Sequence, residues 1–185
     1  MLQKKYKPLF GEPIFQVVEN IFNYPNKTFH IRELARITNL STTAVKSAIK
    51  KLNHYKIITI EETQITTNIK ADLESDSYYF YKKILNLYKL ERYGLIWNLK
   101  QASKPEAIVL FGSFAKGEDA ENSDIDILII TNEKNIGLGK LIENFEKEFN
   151  RKISLHILQN IEKSSTEFKN AIANGIVLYG YIKVV

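Results

Sequence analysis

The sequence predicts an α+β / α/β chain of two domains joined by a helical linker, and three observations carry that prediction. Charge is unevenly spread: residues 1–73 hold 11 Lys/Arg against 6 Asp/Glu, residues 74–104 hold 6 against 3, and residues 105–185 hold 9 against 12. Apolar residues recur at helical spacing in the front part, whereas strand-like and helical runs alternate behind Pro105. The 185 residues accommodate one or two domains of about 100–200 residues each, not three. The expected division is a basic domain over 1–73, a helical linker over 74–104 and an acidic domain with a small mixed sheet over 105–185.

Composition narrows the class further. Hydrophobic residues make up 44% and charged residues 25%, the profile of a folded chain rather than a disordered one. No apolar run approaches the about 18 residues that a membrane-spanning helix needs, so no membrane partner is expected. The charged start, Met1 to Lys7, leads into no apolar stretch, so no secretory signal is expected. There is no cysteine, which excludes disulfides, thiolate zinc sites and cysteine nucleophiles and fits a cytoplasmic setting. No internal repeat or low-complexity segment is evident.

The elements follow in order. Ile14, Phe15, Val17, Val18, Ile21 and Phe22 mark a first helix. It should stop near Tyr24-Pro25, because proline disfavours helix in the residue before it. A short extended piece, Thr28 to His30, precedes helices over about Ile31–Thr38 and Ser41–His54. Ile57–Ile60 and Gln64–Thr67 read as a β-branched hairpin around the polar Glu61-Glu62-Thr63. A long helix runs from Ser77 to about Leu90 and resumes after Gly94 until Lys104-Pro105. Strands are expected at Ala107–Phe111, Ile125–Ile130, Ile153–Leu158 and Ile176–Tyr179. Between them lie a short helix, a helix over about Gly139–Phe149, and a last helix over about Ser165–Asn174 capped by Ser164 or Ser165.

The basic front has the pattern of two helices joined by a tight turn. Ala35 is small where the helices would approach, Asn39 tolerates a left-handed turn, and Ser41 is a natural N-cap. Val45, Ile49 and Leu52 form the buried stripe of the second helix, leaving Thr42, Thr43, Lys46, Ser47 and Lys50 on its other face. With the hairpin behind it, this region resembles the winged helix-turn-helix domains common in prokaryotic regulators. The resemblance implies that the second helix enters the major groove of duplex DNA, where hydroxyls and lysines reach bases and phosphates. Glu61 and Glu62 at the hairpin tip would repel phosphate, so docking of the wing would fall to Lys56 or Lys70. His30 and His54 read as structural or surface residues, since no ligand cluster accompanies them.

In the linker, Tyr78, Tyr79, Phe80, Tyr81 and Tyr88 supply more aromatic surface than one helix of a small domain needs. Interdomain packing and a homodimer seam both account for it; the dimer would also suit two DNA half-sites.

The acidic back holds the most informative stretch, Leu110 to Leu128. A strand ends at Phe111, and Gly112-Ser113 opens a short helix. Glycine lets a ligand approach the backbone closely. Free amides, the Ser113 hydroxyl and the Lys116 cation favour a phosphate. Asp124 and Asp126, two apart, project from one strand face. Carboxylates held that way can ligate Mg²⁺, with substrate phosphates as further ligands, and can thereby support phosphoryl or nucleotidyl transfer. The Gly-Ser-x(10)-Asp-x-Asp pattern resembles the DNA polymerase beta-like nucleotidyltransferase superfamily, and within it the minimal nucleotidyltransferases. The resemblance covers about residues 92–185. Lys116 stands where the family usually has arginine, keeping charge but losing the fork geometry.

By that resemblance Gly112 and Ser113 would hold the triphosphate of an NTP. Asp124 and Asp126 would hold Mg²⁺, with Mn²⁺ as an alternative, and an NMP would pass to a hydroxyl on a small molecule, nucleic acid or protein. Some relatives of this kind are antitoxins that modify a HEPN-type toxin, which makes such a toxin, or another protein acceptor, an expected partner class. The family usually adds a third carboxylate on the neighbouring strand. Here that strand offers Ser154 and His156, with His156 the candidate metal ligand or proton acceptor. The competing expectation is a transcription regulator whose nucleotidyltransferase-like domain only senses nucleotide or mediates assembly.

Overall fold

The computed structural model describes residues 12–63, 66–133 and 137–183. The charged residues 1–7 and the expected strand residues Gln64 and Ile65 lie outside them. Contacts divide the chain into two compact units between Leu85 and Asn86.

In the N-terminal unit, α1 (Glu12–Asn23) is followed by β1 (Phe29–His30), α2 (Ile31–Thr38), α3 (Thr42–His54), β2 (Ile58–Glu62) and β3 (Thr67–Ala71). The strands form an antiparallel sheet in the order β1-β3-β2. Local chemistry sets each boundary. Asn39 ends α2 in the left-handed region at φ 55°, its N–H donating to the Ala35 carbonyl. The Ser41 hydroxyl accepts from the Ala44 N–H at 3.1 Å and caps α3. Val17, Ile21, Phe29, Leu34, Val45, Ile49, Leu52, Ile58 and Ile69 are buried, so the apolar stripes of α1, α2 and α3 close on one face of the sheet.

The hairpin differs from expectation in its second strand. Pairing runs from Ile58↔Ala71 to Glu62↔Thr67. Glu61 and Glu62 therefore belong to β2 rather than to the tip, because Ile69 and Ala71 are the next residues that can be buried. Thr63 and Thr66 tie the turn through their hydroxyls. Lys70 lies 3.3 Å from Glu61, which occupies one of the two lysines expected to face phosphate.

The unit division falls inside α4 (Asp76–Arg92). The aromatics before the division do different things. Tyr78 is buried, with its ring edge-on to Phe22 at 5.1 Å, and Tyr81 meets Tyr55 at 5.7 Å. Phe80 stays 58% exposed.

The C-terminal unit continues through α5 (Leu95–Ser103), β4 (Ala107–Phe111), α6 (Gly112–Lys116), β5 (Ile125–Ile130), α7 (Gly139–Phe149), β6 (Ile153–Leu158), α8 (Thr166–Ala173) and β7 (Ile176–Gly180). Its sheet has the order β6-β5-β4-β7 and is mixed: β4 is antiparallel to β5 and β7, and β5 is parallel to β6. Every residue of β4 is buried, as are all of β5 except Asp126. These central strands read as nearly unbroken apolar runs because both of their faces are covered. On one face, Ile108, Leu110, Ile125, Ile127, Ile129 and Ile153 pack with residues of α5, α6 and α7, among them Leu99, Phe114 and Phe145. On the other, Ala107, Val109, Phe111, Leu128 and Ile130 pack with Ile172 and Phe168 of α8. The Ser165 hydroxyl caps α8 by accepting from the Phe168 N–H at 3.2 Å. No helix among the described residues is long and apolar enough to cross a membrane.

Candidate active site

Asp126 is the one polar side chain in the middle of the C-terminal sheet. It stands opposite Phe111 on β4 and level with Ser154 on β6. Asp124 lies one residue ahead of β5. Its Oδ2 accepts a hydrogen bond from the Ser154 hydroxyl at 3.1 Å. Burial, and then the neighbouring Asp124 carboxylate, push the Asp126 carboxyl above its usual value, while His156 pulls the other way. The Asp124 and Asp126 carboxylates thus lie in each other's field.

The turn that faces them is set by Gly112. It has φ +72°, and a Cβ placed on it would sit 2.3 Å from Asp126 Oδ2. The left-handed backbone favours glycine here, and a side chain at this position would also have to displace the Asp126 carboxylate. Ser113 follows at the start of α6 and is half-buried. Lys116, at the end of α6, is exposed and 3.9 Å from Glu118. His156 is exposed on β6, two residues beyond Ser154, and its ring leans on Phe111 at 5.3 Å and Phe168 at 5.2 Å. Gly112, Asp124, Asp126 and Ser154 therefore converge, with His156 at the edge and Lys116 turned to solvent.

Residues 95–182 match the family model described as "Polymerase beta, Nucleotidyltransferase". Over these residues the chain is similar to nucleotidyltransferase domains. Two proteins of Methanocaldococcus jannaschii, each named "Putative protein adenylyltransferase", are similar to it. One is 43% identical over 61 residues, covering 31% of this chain and 61% of its own length. The other is 47% identical over 62 residues, covering 34% of this chain and 55% of its own length. The chain thus spans little more than half the length of these relatives.

The carboxylate pair Asp124 and Asp126 is of the chemistry that fits a magnesium ion. Among the described residues no group of three or more His, Cys, Asp or Glu side chains is placed to hold a metal alone. Mg²⁺ is commonly bound by one or two carboxylates together with substrate phosphates and water, and Asp124 and Asp126 supply two carboxylates. A cation there would also relieve the repulsion from Asp124 that, after burial, raises Asp126.

Sequence reasoning did not reveal two features of the domain. The Ser154 hydroxyl bonds Asp124, a pairing visible only once β5 and β6 are in register. Arg151, Asp119 and Asn86 form a buried polar group behind the loop that delivers Asp124, and their separation in sequence leaves no local signal.

In the N-terminal unit, Thr42, Thr43, Lys46, Ser47 and Lys50 are all exposed on α3. The same helix buries Val45, Ala48, Ile49 and Leu52. The five residues form one polar, cationic face.

Proposed function

We propose that the C-terminal unit transfers an NMP from an NTP to a hydroxyl acceptor in the presence of magnesium, and that the N-terminal unit is a winged helix that binds duplex DNA. The observation that carries the first part is the closure of the Gly112 turn onto Asp126 beside Asp124. This gives a backbone that a triphosphate can approach next to two carboxylates that a divalent ion must bridge. Manganese can take the place of magnesium, since both accept oxygen ligands. The ion, when bound, would screen the phosphate charge.

In the reaction the acceptor oxygen bonds to the α-phosphorus, the bond to pyrophosphate breaks, and the hydroxyl proton is released. Gly112 and Ser113 position the phosphates. His156 is the group at the rim able to take that proton. The names of the two archaeal relatives support ATP as donor and a protein side chain as acceptor. The exposed α3 face, the left-handed turn at Asn39 and the three-stranded sheet behind them support the winged-helix reading.

The test is transfer of label from α-labelled NTPs to proteins and RNA of a cell extract, with magnesium or manganese. Label should appear on an acceptor, disappear with Asp124→Asn or Asp126→Asn, and slow with His156→Ala. Failure to bind NTP would defeat the reading. A second reading has an observation of its own: a Ser154 hydroxyl, not a carboxylate, stands level with Asp126. A regulator that binds NTP without transferring it would have that composition, and NTP binding with no labelled acceptor selects it.

A further inference from the structure

Arg151 follows the left-handed Asn150 that ends α7 and precedes β6. Its guanidinium turns back under the loop between α6 and β5. Nη2 lies 3.1 Å from Asp119 Oδ2, and the two side chains are 5% and 1% exposed. Nη1 donates to the Ser123 carbonyl at 3.1 Å and to the Ala120 carbonyl. The cation also lies 5.8 Å from the centre of the Phe114 ring. Asp119 Oδ1 accepts from Asn86 Nδ2 at 2.8 Å, and the same amide donates to the Phe114 carbonyl at 3.0 Å. The loop is further pinned by the Ala120 N–H, which donates to the Ser123 hydroxyl at 2.9 Å.

Asp124 is the residue after Ser123. The carbonyl that Arg151 holds belongs to the peptide bond that enters Asp124, so the bond fixes the course of the backbone from which the Asp124 side chain leaves. A buried ion pair offsets its desolvation only when its remaining donors are satisfied, and an apolar pair commonly replaces it without loss; here the remaining donors go to two carbonyls of the loop that leads into Asp124. The planar fork of arginine can reach a carboxylate and two carbonyls at once, which a lysine ammonium cannot do from one position.

We propose that Arg151 is a positioning residue: by holding the Ala120 and Ser123 carbonyls it fixes Asp124, and with it the ability of the site to take a divalent ion and a triphosphate. The proposal rests on the assignment of Asp124 to that site.

The experiment measures the magnesium concentration that half-saturates NTP binding, together with melting temperature and backbone amide exchange at Ser123, Asp124 and Ile125. Asp119→Asn leaves the carbonyl bonds in place; it should lower the melting temperature and leave the magnesium requirement unchanged. Arg151→Met with Asp119→Asn removes both charges and the carbonyl bonds. It should raise the magnesium requirement about tenfold or more, the scale on which outer partners of metal ligands act. A folded double variant with the wild-type requirement would overturn the proposal.

Arg151→Lys keeps a cation beside Asp119 and covers the case in which the double variant does not fold. It should raise the requirement and speed exchange at the three amides, and unchanged exchange would overturn the proposal. If wild-type protein binds no NTP at any magnesium concentration, the assignment of the site fails. The exchange measurement still decides what Arg151 does to the loop.

Discussion

Replacing Asp126 by asparagine separates two effects of one charge. The ionised carboxylate is disfavoured by burial and by Asp124, so the neutral amide should melt higher than the wild type when no divalent ion is present. In magnesium the order should reverse, because only the wild type gains stability from bound ion and nucleotide. Differential scanning with and without magnesium and NTP checks both halves. Asp126→Asn melting lower than the wild type in both conditions would mean that the carboxylate serves the fold. A second residue-scale test concerns Glu33, which receives Lys27 Nζ at 2.8 Å and the His30 N–H at 3.4 Å. The Lys27 contact, chiefly, holds the Glu33 carboxyl below its usual 4.5. A depressed carboxylate stabilises the fold above its unfolded value, and that stability is lost as pH falls through the lower folded value. Both side chains are partly exposed, so a Lys27→Met, Glu33→Gln double-mutant cycle should give a coupling of about 0.5 kcal/mol at neutral pH. The coupling should vanish in acid below the folded value; a coupling that persists there would show that it does not depend on the Glu33 charge.

Helix α3 and the Gly112 turn are the elements on which the two proposed activities depend. Changing Lys46 and Lys50 to Glu should weaken duplex binding by reversing two charges that face outward. Wild-type affinity should itself fall as salt rises, because each neutralised phosphate releases counterions. Fluorescence anisotropy with a labelled duplex measures both, and indifference to salt and to the substitutions would remove DNA from the picture. For the turn, Gly112→Ala meets a left-handed backbone, at about 1–2 kcal/mol, and the Asp126 oxygen besides. The expected result is a lower melting temperature together with loss of NTP binding, read by calorimetry. These elements were the legible ones. Caps at Ser41 and Ser165, the left-handed Asn39 and the apolar stripe of α3 all act within a few residues, so local chemistry announces them. Strand β3 was misplaced because Thr67-Asn68-Ile69-Lys70-Ala71 mixes polar and apolar residues, and only the facing β2 shows which are buried. The Asp119–Arg151 pair was illegible for the same reason in stronger form: nothing local distinguishes a buried charge from a solvated one.

At the scale of the whole molecule, the aromatic surplus of residues 78–88 was legible but its use was not. Tyr78 and Tyr81 have partners inside the N-terminal unit, and Phe80 is largely exposed. One exposed ring offers far less than the about 1,000 Å² that a specific interface buries. No seam is therefore expected on α4, and Phe80→Ser should not change the mass that light scattering gives at micromolar concentration, where a monomer weighs 21.4 kDa. Twice that mass, returning to the monomer value with Phe80→Ser, would place a seam on α4. The sheet of the C-terminal unit has a consequence in time. Residues 112–124 connect β4 to β5, so joining these two strands closes only a short loop. Strands β5 and β6 are parallel and cannot meet until the whole α7 crossover is in place. Closing entropy grows with the length enclosed, and non-local pairing is the slower event. The expected order of assembly therefore brings the Gly112 turn against Asp126 with the first strand pairing and adds Ser154 and Arg151 afterwards; pulsed amide exchange during refolding that protects β6 before β4 would reverse it.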